Sequence, residues 1–161
     1  MRNDPNNPDI RITFGHRQGD RLEFLFHAAE LARLKKMAAE NWLRPRVAVY
    51  AGGFQGETSP FVEARDFVVF LADLRKLFTE LKGTAKFTTT ENQVGFVLSG
   101  DGLGHIKLQG HLLDRAGIGN RLDFIVSYDQ TSLADSIAGV ERLVNATASR
   151  RGVFAPNSDR A

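Results

Sequence analysis

From Ala85 to Thr131 apolar and polar residues alternate with period two, the spacing that sends successive side chains to opposite faces of a pleated strand. Ala85, Phe87 and Thr89 alternate with Lys86, Thr88 and Thr90. After a polar turn at Glu91 and Asn92, Val94, Phe96 and Leu98 alternate with Gly95, Val97 and Ser99. The run Gly100-Asp101-Gly102-Leu103-Gly104 marks the next turn, since Asp-Gly favours backbone with positive φ. Beyond it Ile106, Leu108 and Leu112 alternate with His105, Lys107, Gln109 and His111. A loop containing Gly117, Gly119 and Asn120 follows, and then Leu122, Phe124, Val126 and Tyr128 alternate with Arg121, Asp123, Ile125 and Ser127. Four strands with short connections predict an antiparallel meander with one apolar face.

That face needs a cover, and two stretches at helical spacing offer one. Phe67, Phe70, Leu71, Leu74, Leu77, Phe78 and Leu81 share one side of a helix, with Asp66 as the expected N-cap and Gly83 as the expected stop. Asp73, Lys76, Glu80 and Lys82 form its solvated side. A second helix starts after Asp129-Gln130-Thr131 and runs to about Ala146, with Leu133, Ile137, Val140 and Val144 as its apolar stripe. The predicted fold class is α+β: an antiparallel meander sheet covered on one face by two amphipathic helices, with an N-terminal strand pair.

The first half of the chain supplies that pair. Residues 1–9 carry two prolines and read as a flexible lead-in. Ile10, Ile12 and Phe14 alternate with Arg11 and Thr13, and Arg21 to His27 forms a second strand after a turn at Gly15 to Asp20. The two strands are expected to pair at or near an edge of the meander. Ala28 to Glu40 is rich in helix formers, with Leu31, Leu34 and Ala38 on one face; the competing reading extends the strand through Ala29 into an irregular loop. Val47 and Val49 suggest a strand that Pro45 places at an edge or at its own start. Gly52, Gly53 and Gly56 mark a turn, with a return strand expected around Thr58 to Ala64. Residues 10–146 read as one domain, and 147–161, anchored by little except Val153 and Phe154, as a disordered tail.

At 161 residues the chain is long enough to bury a core without staples, and its lack of Cys removes disulfides, thiolate zinc sites and cysteine nucleophiles together. The start lacks an apolar signal region, and no run approaches the roughly 18 apolar residues of a membrane span, so a cytoplasmic protein is expected. The net charge of +2 is small, which makes local clustering more informative than the sum. Arg33, Lys35, Lys36, Arg44 and Arg46 form the densest basic group, and Arg150 with Arg151 forms another.

The candidate chemistry is thin. The Gly100-x-Gly102-x-Gly104 run could cradle a phosphate only if a helix followed it, and a strand follows, which favours a hairpin turn. His105 and His111 share a strand face, but six residues at about 3.3 Å each put their backbones roughly 20 Å apart, too far to share a metal. Asp129 beside Thr131 and Ser132 could be a base near a hydroxyl, yet no neighbouring His activates that hydroxyl. Capping explains these residues more simply, with Ser132-x-x-Asp135 resembling a capping box. No catalytic, metal or cofactor site is therefore expected. The basic group from Arg33 to Arg46 is either a solvated helix face or the contact surface of a small nucleic-acid-binding module, the alternative function; no RNP-like aromatic pattern accompanies it. A small hydrolase ranks last.

The order of motifs resembles the WapI-type immunity proteins over about residues 40 to 145. The motifs are Asn41-Trp42-Leu43, Phe70-x-x-x-Leu74-x-x-Leu77-x-x-x-Leu81-x-Gly83-x-Ala85, Gly102-x-Gly104-His105-Ile106-x-Leu108-x-Gly110, Leu122-x-Phe124 and Asp129-Gln130-Thr131-x-Leu133. The resemblance implies a non-enzymatic cytoplasmic protein that binds and neutralises a polymorphic toxin domain encoded beside it, often a nuclease. A basic chain is unsuited to inhibition by mimicry of nucleic acid. If the partner docks on the sheet, His105, Lys107, Gln109 and His111, the polar stripe of a central strand, are the candidate contacts.

Overall fold

The computed structural model describes residues 8–36 and 42–148, with the side chain of Lys35 left out. The expected lead-in and tail therefore fall largely on residues 1–7 and 149–161, outside the described residues, as do Asn41 and the end of the 28–40 segment. The architecture is α+β, with every sheet antiparallel. Strands β1 (Ile10–Gly15), β2 (Arg21–Phe26), β4 (Arg46–Ala51) and β5 (Phe54–Thr58) make one four-stranded sheet in the order β1-β2-β4-β5. Strands β7 (Lys82–Thr88), β8 (Val94–Asp101), β9 (His105–Leu113) and β10 (Arg121–Asp129) make the meander, in the order β10-β9-β8-β7. Strands β3 (Trp42–Leu43) and β6 (Val62–Glu63) form a separate two-stranded sheet, and the helices are α1 (Ala28–Lys36), α2 (Ala64–Glu80) and α3 (Gln130–Ala148).

The meander has the registers its alternation implies, but the N-terminal strands do not lie at its edge. They pair with each other and continue through β4 into a second sheet. Period-two patterning states which face of a strand is apolar and nothing about which apolar strand lies beside it. The return strand also comes earlier than expected. Gly52, with φ of 58°, and Gly53 form a two-residue turn that sets Ala51 opposite Phe54, so the chain doubles back at once. Gly56 belongs to β5, where a Cβ would come within 2.7 Å of Leu122 Cδ2. Of the two readings of residues 28–40, the helix is found over α1, with Leu31 and Leu34 buried. Pro45 stands just ahead of β4, an interior strand, as a strand-start proline should.

Phenylalanines close the core. Phe14 and Phe24 come from the first sheet, Phe87 and Phe96 from the meander, and Phe67 and Phe70 from α2. Ring centroids lie 5.0 Å apart for Phe14 and Phe96, 5.8 Å for Phe24 and Phe87, and 4.7 Å for Phe67 and Phe87. The inner face of the meander thus meets rings of the opposite sheet as well as rings of a helix. Each edge or offset contact adds about 0.5–1.5 kcal/mol beyond area burial.

Both expected ends of α2 are corrected. Glu63 is the N-cap residue, and Asp66 sits at the third helical position, where its carboxylate accepts the Glu63 N–H at 3.2 Å. Leu81 rather than Gly83 takes the left-handed conformation at the C-terminus, with φ of 56° and its N–H bonded to the Leu77 carbonyl at 2.8 Å. Gly83 lies inside β7. Phe78, expected on the apolar stripe, is 40% exposed.

In α3, Asp129 is the cap: its carboxylate accepts the Thr131 N–H at 3.0 Å and the Ser132 N–H at 3.4 Å, and the Thr131 hydroxyl also donates to it. Asp135 takes no part in a capping box and pairs with Arg17 at 3.6 Å. The buried side of α3 is Leu133, Ser136, Gly139, Val140 and Leu143, with the expected Ile137 and Val144 only partly covered. The small residues are there because α3 lies along the β1 backbone. Ser136 Oγ donates to the Thr13 carbonyl at 2.6 Å, and a Cβ at position 139 would sit 3.2 Å from the Arg11 carbonyl oxygen. Asp129→Ala should cost about 1 kcal/mol, read from urea midpoints, the usual worth of an N-cap; an unchanged midpoint would show that packing alone fixes the start of α3.

Candidate functional site

The β8–β9 turn is built on Asp101. Its carboxylate accepts the backbone N–H groups of Leu103 at 2.7 Å and His105 at 3.2 Å and contacts His105 Nδ1 at 2.6 Å. Gly102 and Gly104 have φ of 84° and 98°, so the glycines serve a turn, and β9 follows directly. The Gly104 carbonyl then accepts the Gln130 N–H at 2.9 Å, while Asp129 pairs across from His105. The Gly-x-Gly-His and Asp-Gln-Thr motifs, far apart in sequence, are therefore one joint that ties the start of α3 to the β8–β9 turn.

The outward face of the meander is laid out in cross-strand rows. Lys86, Val97, Gln109 and Ile125 form one, and Thr88, Gly95, His111 and Asp123 the next; Ser99, Lys107 and Ser127 form a third on the other side. The candidate stripe is thus on the interior strand β9, as expected, but it does not make one surface feature. Gln109 and His111 line a groove of about 960 Å³ that the β4–β5 turn walls with Ala51 to Phe54. His105 and Lys107 line a smaller recess of about 550 Å³ with Asp101 and Asp129. The two histidines are tied to turns at opposite ends of β9: His105 to Asp101, and His111 through Nε2 to the Asn92 carbonyl at 2.9 Å. The His111 ring lies over Gly95, where a Cβ would come within 2.8 Å of it.

Of the groove residues that were not sequence candidates, three bring solvent-facing apolar side chains. Phe54 is 71% exposed, Ile125 is 53% exposed, and Val97 is half-buried. The signal for two of them was present, because Val97 and Ile125 stand on the polar phase of their strands. For Phe54 there was none, since its place depends on where the turn projects.

The basic group from Arg33 to Arg46 is partly committed elsewhere. Arg44 Nε donates to the Ser59 carbonyl at 3.2 Å with its guanidinium 5.2 Å from the Phe61 ring, and Arg46 pairs with Glu57 at 2.5 Å. Among the described residues no group of His, Asp and Glu has the placement to hold a metal ion.

Several carboxyls are held below the usual range by donors that face them: Asp129 by the Thr131 hydroxyl and Ser132 N–H, Asp101 by the Leu103 N–H and His105, Asp114 by Asn120, Asp123 by Arg121, and Glu57 by Arg46. Each contributes stability above the ordinary carboxylate value of about 4 and loses it as pH falls through its own lower value. Asp66 works the other way, because burial pushes its carboxyl up. Tm should therefore hold between about pH 7 and 5 and fall on acidification below about 4. A Tm unchanged at about pH 3 would contradict these contacts.

The model of the Immunity protein WapI-like family matches residues 10–148, and the chain belongs to that family. The family supports an immunity function. A solved structure titled "Crystal structures of trypanosoma bruciei MRP1/MRP2" aligns with a TM-score of 0.47 at 12% identity, over 91% of this chain and 88% of that one, and nothing about function follows from so distant a likeness. No curated protein matches the chain. No helix of the described residues is long and apolar enough to cross a membrane.

Proposed function

We propose that this immunity protein works by stoichiometric binding, without chemistry of its own, to a toxin domain encoded beside it, and that it does so in the cytoplasm. The observation that carries the reading is the family match over residues 10–148. The side chains offer a consistent picture: the residues that could have been a phosphate loop or an acid–base pair are occupied in holding turns and a helix end. A nuclease domain is the expected toxin. Such a partner is inhibited by an immunity protein that covers its active site or a neighbouring surface, and covering needs a rigid face. The meander supplies one, and the stripe of His105, Lys107, Gln109 and His111 is its proposed contact line.

The test is growth rescue. The C-terminal domain of the large secreted protein encoded next to this chain is expressed with and without it. Toxicity that disappears on co-expression, together with a one-to-one complex on a sizing column, is the expected result. Toxicity that co-expression leaves untouched would overturn the reading.

A further inference from the structure

We infer that the groove between the meander's outer face and the β4–β5 turn is where the toxin docks, and that it takes a loop of the toxin carrying an apolar anchor flanked by carboxylates. The inference rests on the immunity reading and adds the location and chemistry of the contact. The floor is the row Lys86, Val97, Gln109, Ile125 together with Thr88, Gly95, His111 and Asp123 alongside it. The wall is the turn that ends in Phe54.

Its apolar content has no internal purpose. Ile125 and Phe54 point into the groove space rather than the core, and both are more than half exposed. The outer phase of a half-solvated antiparallel sheet ordinarily holds polar residues. An aliphatic pair on one row, Val97 and Ile125, with an aromatic side chain on the wall is the centre-of-interface composition that excludes water from an anchor residue.

Unpaired cations on this face add a second element of recognition. On the outer face of the first sheet the acids are paired: Glu23 is gripped by Arg11 at 2.5 Å and Arg21 at 3.3 Å, and Glu57 by Arg46. In the groove, Asp123 is held by Arg121 at 2.9 Å, and Asp20 accepts the Gly52 N–H at 3.0 Å. Lys86 has no carboxylate partner among the described residues, and neither does Lys107 one row further along the same face. Beside its apolar centre the groove therefore presents one ammonium group without a carboxylate partner, Lys86, with Lys107 in the adjoining recess, and a carboxylate of the docking loop can pair with each.

The experiment uses the full chain and the toxin domain encoded beside it, with binding followed by calorimetry and rescue by growth. Phe54→Asp and Ile125→Asp should each weaken binding by about thirtyfold or more, as hot-spot residues do. Lys86→Glu with Lys107→Glu should slow association and reduce its dependence on salt. Val69→Asp, on the exposed side of α2, should change affinity by less than about twofold, as surface positions outside an interface do. All five side chains are solvent-accessible, and circular dichroism melts check that each variant folds. Wild-type binding that survives Phe54→Asp and Ile125→Asp overturns the groove and leaves the immunity reading standing. A wild-type chain that neither binds nor rescues overturns both.

Discussion

Phe70→Asp should fail to fold, and Phe70→Ala should lose about 3–5 kcal/mol, the range for truncating a fully buried phenylalanine. The ring is 1% exposed and lies 5.8 Å from Phe14, 5.5 Å from Phe87 and 5.5 Å from Phe96. It therefore touches both sheets from the helix, so its removal opens a cavity at the point where three elements meet. No single neighbour can collapse into that space without dragging its own strand or helix. A buried aspartate adds an unpaired charge to the same cavity, and a domain with a total stability of roughly 5–15 kcal/mol does not survive both. Urea unfolding of Phe70→Ala and far-ultraviolet dichroism of Phe70→Asp check this. A loss below about 1 kcal/mol for the alanine variant would mean that the sheets close without the helix ring between them.

Gly110→Val should be nearly as damaging, by about 3 kcal/mol or more, although valine is the better strand former. Gly110 lies on the inward phase of β9, between Phe96 on β8 and Phe124 on β10. A Cβ there would come within 2.7 Å of Phe96 Cβ, 2.8 Å of the Gly95 carbonyl oxygen and 3.0 Å of Phe124 Cζ. Strand β9 is paired on both sides and cannot move aside, and two of the three obstructions belong to the neighbouring strand's rigid part. Gly110→Ala should fail in the same direction by a smaller amount. A valine variant as stable as the parent in urea would show that the two phenylalanines have room to yield.

These two residues also separate what patterning reveals from what it hides. Phe70 is legible as a core residue because it belongs to a run at helical spacing, and helical spacing is a property of neighbours in sequence. The inward direction of Gly110 is equally legible from the alternation of Ile106, Leu108 and Leu112 around it. That the position must be empty is not, because the atoms that fill its space come from β8 and β10. The same division explains α3. Helical spacing picks out Leu133, Ile137, Val140 and Val144, whereas Ser136 and Gly139 carry the contact with β1, since a helix laid along a strand backbone needs small residues rather than apolar bulk. Asp66 marks the helix start in the sequence but stands at its third position, because Glu63 is the cap and the two close a capping box that local spacing does not single out.

The candidate site divides in the same way. The polar stripe of β9 and its central place in the meander followed from alternation and turn lengths, which act over a few residues. The split of that stripe into two recesses did not, because it depends on a turn from the other sheet, residues 51–54, lying over one half of it. By itself the sequence determined the strands of the meander, the faces they turn inward, the presence of the two long helices and the cap at Asp129, all set by local dihedral preference and periodic burial. Only the tertiary structure decided that the first strands build a second sheet, that the Gly104 and Asp129 motifs form one joint, and that Phe54, Val97 and Ile125 share a groove. Those outcomes rest on contacts between distant segments, whose energies come from complementary shape across the core and leave no period in the chain.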